Sequence, residues 1–251
     1  MQDWQIERYT IHSRSSRFLK RVNEAKEIIK DILPLLQNPY IAFSCGKDSS
    51  VLAHLVMQKT PKIPLCFLSS GETRIVHNVD DVINWFKAQG ATVEEILIDR
   101  VFSEEWKHAT WTEQRKAGKH DLELLNAGNW DGVFMGLRIE ESPNRKRSLL
   151  MLQTEGLPPF CYRYKETNKK RGNIIRCCPL ARWTADDIGA YLITNNIPFL
   201  RQYHKYGMEA RTTARLTGDA VRQYVLSDIK RDNPEGWRKL VKRFPEFSYF
   251  V

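Results

Sequence analysis

The sequence predicts an α/β fold in which a parallel sheet carries helices on both faces, and three observations carry that prediction. Short apolar runs alternate with helical patterns through the first half of the chain. The first apolar run ends in a small polar loop that opens directly into a helix. A chain of 251 residues with 42% hydrophobic content is large enough to fill one core.

From Arg17 to Leu36, Phe18, Leu19, Val22, Ala25, Ile28, Ile29, Ile32 and Leu35 recur at helical spacing between charges, which predicts an amphipathic helix. Pro39 breaks the pattern, Tyr40 to Phe43 forms a strand, and Ser49 to Lys59 forms the next helix. The unit repeats with a strand at Pro64–Leu68, a helix at Ile75–Ala88 closed by Gly90, and a strand at Val93–Ile98. A helix over Glu104–Leu125 and a short strand at Gly132–Met135 follow, before a polar segment. Cys161 to Arg176 is basic and turn-rich, and Thr184 to Asn195 is a helix with Thr184 as its cap. The expected organisation is an N-terminal helical segment over 1–37, a nucleotide-binding α/β domain over 38–200 and a basic, mainly helical extension over 201–251.

No stretch approaches the roughly 20 apolar residues that span a bilayer, and the N-terminus lacks the apolar centre of a signal peptide, so a cytoplasmic protein without a membrane partner is expected. Five cysteines make neither a disulfide framework nor a paired CxxC zinc pattern. His54, His77, His108, His120 and His204 show no ligand spacing, and no protein-bound metal is expected. The formal charge of +9 suits polyanions such as nucleotides or nucleic acid, or serves solubility alone.

Ser44-Cys45-Gly46-Lys47-Asp48-Ser49 lies where the first strand turns into a helix. Unpaired amides and the positive end of a helix dipole converge at such a turn and favour an anion. Gly46 allows close backbone approach, Ser44 and Ser49 add hydroxyls, and Lys47 adds a charge. Asp48 beside phosphates requires either a divalent cation between them or a role in capping the helix. Ser69-Ser70-Gly71 falls at the end of the second strand, on the rim that carries ligands in open sheets. Gly136 to Arg145 follows the strand at Val133–Met135 and offers the guanidinium groups of Arg138 and Arg145, which match phosphate or sulfate oxygens.

The first loop resembles the SGGKDS pyrophosphate loop of the ATP pyrophosphatases. Gly136-Leu137-Arg138 through Ser142 and Arg145 resembles the GLRxxxSxxR motif of the phosphoadenosine phosphosulfate reductase superfamily. Pro179-Leu180 with Trp183-Thr184, Asp187 and Ile188 resembles that superfamily's PLxxWTxxD helix entry. The similarity runs from about Leu36 to Phe199. It implies an adenine nucleotide alpha-hydrolase-like, Rossmann-like fold and the use of ATP with Mg2+, Asp48 being a candidate magnesium contact. It further implies that Ser44, Cys45, Gly46, Lys47, Asp48, Ser49, Ser69, Ser70, Gly71, Gly136, Arg138 and Arg145 bind the nucleotide, with Lys47, Asp48 and Arg138 central to the chemistry.

The sequence departs from the family at two places. Cys45 replaces a glycine, and a positive φ there would strain its Cβ. No cysteine follows Cys178, whereas the reductases attack sulfur with a cysteine near the C-terminus, so cleavage of ATP between its α and β phosphates is expected instead. Cys161, Cys177 and Cys178 fall one ligand short of an iron–sulfur cluster, and none is expected. Arg211-Thr212 with Leu216-Thr217-Gly218 is similar to the tail of the small subunit of sulfate adenylyltransferase. The superfamily also contains the ATP pyrophosphatases of DNA phosphorothioation. Lys165, Lys169, Lys170, Arg171, Arg176, Arg211, Arg215, Arg222, Lys230, Arg231, Arg238, Lys239, Lys242 and Arg243, interleaved with Tyr162, Tyr164, Tyr203, Tyr206 and Trp237, favour a DNA substrate or form a solvated helical face with aromatic core anchors. The resemblance to the phosphorothioation enzymes implies a cysteine desulfurase partner as sulfur donor. Sulfate activation and a non-catalytic nucleotide-binding assembly subunit are the alternatives.

Overall fold

The computed structural model describes residues 1–70, 74, 75, 77, 79–98, 128–163, 174–210 and 219–251, with the backbone alone described at 70, 98, 219–224 and 250. Two helices, α1 (Asp3–His12) and α2 (Ser16–Ile32), precede the first strand. Ser15 starts α2 by accepting a hydrogen bond from the Phe18 amide, and Phe18, Ala25, Ile28, Ile29 and Ile32 form its buried stripe. The helix stops at Ile32 rather than Leu36, because Pro34 has no N–H to donate and the chain tightens into a 3-10 turn over Leu33–Leu35.

Strand β1 (Pro39–Phe43) leads into α3 (Lys47–Met57), β2 (Leu65–Ser70) precedes α4 (Asp80–Ala88), and β3 (Val93–Ile98) follows. Further along come β4 (Gly132–Phe134), α5 (Pro143–Met151), the strands β5 (Cys161–Arg163) and β6 (Ile175–Cys177), and α6 (Ala185–Thr194). The chain closes with α7 (Arg201–Tyr206), α8 (Asp219–Asp232) and α9 (Pro234–Arg243).

The strands form one six-stranded sheet in the order β3-β2-β1-β4-β6-β5. Every neighbouring pair is parallel except β5 with β6, which is antiparallel. The sheet is therefore mostly parallel, as expected, with one antiparallel pair at its edge. Its two last strands are only three residues long and carry Arg163 and Arg176, too short for a periodicity to register. Helix α4 begins at Asp80 and not Ile75, since Asp80 and Asp81 place negative charge at the positive end of the helix there. Helix α5 lies in the stretch expected to be merely polar, although Ser142 as cap and Pro143 at the first position are ordinary start signals. The helix expected at Glu104–Leu125 lies outside the described residues.

Register divides the sheet's side chains between two faces. Ile41, Phe43, Leu65, Phe67, Phe134 and Cys177 share a buried core with α2, α3, α4 and α6. Tyr40, Cys66 and Val133 point the other way, into a second cluster with Leu68, Met135, Trp130 and Ile174. A third cluster, Leu226, Ile229, Leu240, Phe244 and Phe247, holds α8 and α9 together. No helix among the described residues is long and apolar enough to cross a membrane.

Candidate active site at the carboxyl ends of the central strands

From β1 the chain winds outward to β2 and β3, then returns across the sheet to β4 on the other side of β1. The crevice beyond the carboxyl ends of β1 and β4 is thus the point where strand order reverses, the usual ligand position in open α/β sheets. Because the two strands are adjacent and parallel, the loop after Phe43 and the loop after Phe134 lie side by side. A Cβ built on Gly136 would stand 3.0–3.1 Å from the Asp48 carbonyl group and the Ser49 amide nitrogen. An added methyl group there would force the α3 backbone to give by a few tenths of an ångström.

Between these loops lies a cavity of about 430 Å³, within the range of small-molecule sites. Ser44, Gly46, Lys47, Asp48, Ser49, Gly136 and Arg145 line it, together with Tyr40, Ala42, Leu68, Met135 and Tyr203. Gly46 caps α3 with extended backbone and no side chain, so the first amides of the helix stay open toward an anion. Helix α3 starts two residues earlier than the sequence pattern indicates, which puts Lys47 and Asp48 in its first turn.

The loop is pinned from within. Ser49 Oγ accepts from the Ser44 amide at 3.2 Å and donates to the Gly46 carbonyl at 3.0 Å, while the two serine hydroxyls lie 3.1 Å apart. These hydroxyls, expected to serve a ligand, hold the turn in shape. Cys45 adopts the left-handed region at φ 56 and is fully buried. Burial pushes its thiol well above the ordinary range, and the side chain packs into the main core.

Arg138 is buried, and its guanidinium is held by carboxylates. Its Nε donates to Asp48 Oδ1 at 2.6 Å, one terminal nitrogen to Glu140 Oε2 at 2.8 Å, and its backbone amide to Glu141 Oε2 at 2.9 Å. Glu140 also accepts from the Ala185 amide at 3.0 Å, linking this loop to the start of α6. Asp48 Oδ2 lies 3.0 Å from Lys47 Nζ. Asp48 does not cap α3; its two oxygens face Arg138 Nε and Lys47 Nζ, and each keeps a lone pair for a further contact. Among the described residues no three His, Cys, Asp or Glu side chains are grouped to hold a metal. Arg145 stands at the rim, paired with Glu141 and partly exposed.

Ser69 is buried at the end of β2, only the backbone of Ser70 is described, and Gly71 lies outside the described residues. Glu140, Glu141 and Tyr203 belong to the site without having been singled out as such. The two glutamates stood inside the quoted Arg138 segment, where acids flanking a buried arginine are the signal. Nothing local in the sequence marks Tyr203 as a cavity residue.

Cys161 and Cys177 face each other across β5 and β6, with sulfurs 3.1 Å apart, and Cys178 is buried beside them. Burial holds the Cys177 thiol well above its usual range and pushes Cys178 up to about 12. Tyr162 and Tyr203 are 4% and 1% exposed, which removes them as stacking platforms for nucleic-acid bases. Lys205 pairs with Asp228, Arg231 with Asp228 and Asp232, and Lys239 with Glu235, neutralising part of the C-terminal surplus. Tyr164, Lys165, Lys169, Lys170, Arg171, Arg211 and Arg215 lie outside the described residues.

The phosphoadenosine phosphosulfate reductase domain model matches residues 38–208. The chain belongs to this family. Within the phosphoadenosine phosphosulfate reductase family its similar relatives include proteins named sulfate adenylyltransferase subunit 2. That of Agrobacterium fabrum is 27% identical over 205 residues, covering 72% of this chain and 62% of the relative. That of Chromohalobacter salexigens is 24% identical over 202 residues, covering 72% and 64%. The chain therefore spans somewhat less than two thirds of these relatives' length. A crystal structure of phosphoadenylyl-sulfate reductase from Candida auris in a phosphate complex matches with a TM-score of 0.49 at 17% identity, covering 72% of this chain and 84% of that one.

Proposed function

We propose that the protein is an adenylyl-transferring enzyme that cleaves ATP between its α and β phosphates, with sulfate as the oxyanion acceptor. The observation that carries this reading is the open N-terminus of α3, with Gly46, Lys47 and Ser44 facing a cavity at the strand-order reversal. In the reaction a sulfate oxygen attacks the α phosphorus. The new P–O bond forms as the bridging bond to the β phosphate breaks, and pyrophosphate leaves with the bonding electron pair. The amides of the first turn of α3 and the Lys47 ammonium hold the leaving pyrophosphate, where negative charge develops. Asp48, fixed between Lys47 and Arg138, keeps the ammonium in place. Arg145 at the rim exchanges its pairing with Glu141 for the incoming anion. The names of the relatives support sulfate over a nucleic-acid backbone. As those relatives are designated subunits, the same reading gives this chain a companion subunit.

A second reading keeps the same ATP chemistry and takes a DNA backbone oxygen as acceptor, with sulfur supplied by a cysteine desulfurase. It is favoured by the net charge of +9 and by exposed cations such as Lys230 and Lys242. Pyrophosphate release from ATP with magnesium, measured with sulfate, with DNA and with neither, separates the two. Sulfate-dependent release that Lys47→Ala lowers by about 100-fold or more supports the first reading. DNA-dependent release supports the second. ATP binding with no release under any acceptor leaves a nucleotide-binding assembly subunit and overturns both.

A further inference from the structure

The Lys47 ammonium sits in a setting that its own loop does not provide. The lysine is 4% exposed, and its Nζ lies 5.0 Å from the centroid of the Tyr203 ring. It also donates to the Ala210 carbonyl at 3.3 Å and lies 3.0 Å from Asp48 Oδ2. Tyr203 is 1% exposed and lines the same cavity as Lys47 and Gly46. Both the ring and the carbonyl come from the stretch after Phe199, on α7 and just beyond it.

An ammonium has three N–H donors and is strongly hydrated in water, so burying it beside one carboxylate leaves part of its charge uncompensated. An aromatic face attracts a cation directly without accepting a conventional hydrogen bond, and more so where water is excluded. We infer that Tyr203 is a positioning residue for Lys47: its ring replaces water against the ammonium and keeps it aimed into the cavity, while the Ala210 carbonyl holds the place of a phosphate oxygen. This inference rests on the ATP reading above. On nucleotide binding the hydrogen bond from Lys47 passes from the Ala210 carbonyl to phosphate, and the ring contact is retained.

The test is equilibrium binding of ATP to the full chain. Against Tyr203→Phe, which keeps the aromatic face, Tyr203→Leu weakens ATP binding about tenfold. Progressive fluorination of a phenylalanine at position 203 drains the ring face without changing its shape. Affinity then falls stepwise with each fluorine, and the same series in a Lys47→Ala background is flat. Because the fluorinated rings keep the packing, this series decides the matter even where the leucine variant fails to fold. Wild-type affinity across the fluorinated series overturns the inference, whereas a wild-type chain that binds no ATP overturns the reading beneath it.

Discussion

Lys47, Asp48 and Gly136 occupy a space that a single methyl group would disturb. The Cβ of an alanine at 136 would press at about 3.0 Å on backbone atoms of Asp48, and a helix backbone yields less readily than the tip of a side chain. Gly136→Ala is therefore expected to push the first turn of α3 out of line with the cavity. The backbone must give by a few tenths of an ångström, a fraction of the roughly 1 Å misplacement that can cost on the order of 100-fold in turnover. Measuring pyrophosphate release beside the thermal midpoint tests this: a partial loss of release with a shift of only a few degrees is expected, and unchanged release would refute the close-packing argument. Cys45 makes a related point, since the loop accepts the left-handed backbone at a residue with a Cβ and fills the space behind it with a buried thiol.

Helix α6 is the element on which the N-terminal helices dock, and one buried carboxylate organises the contact. Asp187 is fully buried. It accepts from Thr184 N at 2.7 Å and Thr184 Oγ1 at 2.9 Å, lies 2.7 Å from His12 Nε2, and is paired with Arg21. Burial by itself would raise its pKa, but hydrogen bonds from His12, the Thr184 amide, Arg21 and the Thr184 hydroxyl together hold it below the ordinary value of 3.8. A carboxylate with a depressed folded-state pKa contributes stability that is fully present above its unfolded pKa and is lost as pH falls through the folded one. Acid unfolding of the wild type should therefore steepen below about pH 4, and Asp187→Asn should flatten that limb while lowering stability at pH 7. Denaturant midpoints measured between pH 3 and 7 check both, and parallel curves for the two proteins would remove Asp187 from the account. Beside it, Gly189 leaves room for the Tyr9 ring, whose atoms would lie 2.5–2.7 Å from any added Cβ.

Over the whole molecule, the main core joins α1, α2, α3, α4 and α6 to one face of the sheet, while α8 and α9 close over a core of their own. That smaller cluster meets the rest of the chain at Ile75, whose carbonyl accepts from Asn233 Nδ2 at 3.3 Å. Leu240 is fully buried within it, so Leu240→Ala should cost about 2–5 kcal/mol. Hydrogen exchange should place that loss in α8 and α9 and leave α3 protected to the wild-type degree. Equal loss of protection in α3 would mean that the two cores unfold as one.

The sequence by itself determined the central strands, the helices α2, α3 and α6, the Thr184 cap and the loop that faces the cavity, because each is written in local periodicity or in the chemistry of one turn. Ser142-Pro143 was equally legible as a helix start. Strands β5 and β6 were not, since each interrupts its three residues with an arginine where β4 offers an apolar run, and only a neighbouring strand makes them strands. Tertiary structure alone decided that Arg138 turns inward to Asp48 and Glu140 and that Tyr203 packs on Lys47. It likewise decided that Asp48 has both oxygens engaged by cations. These are contacts between residues far apart in sequence, and a charged side chain chooses its partner only after the chain has removed water from around it.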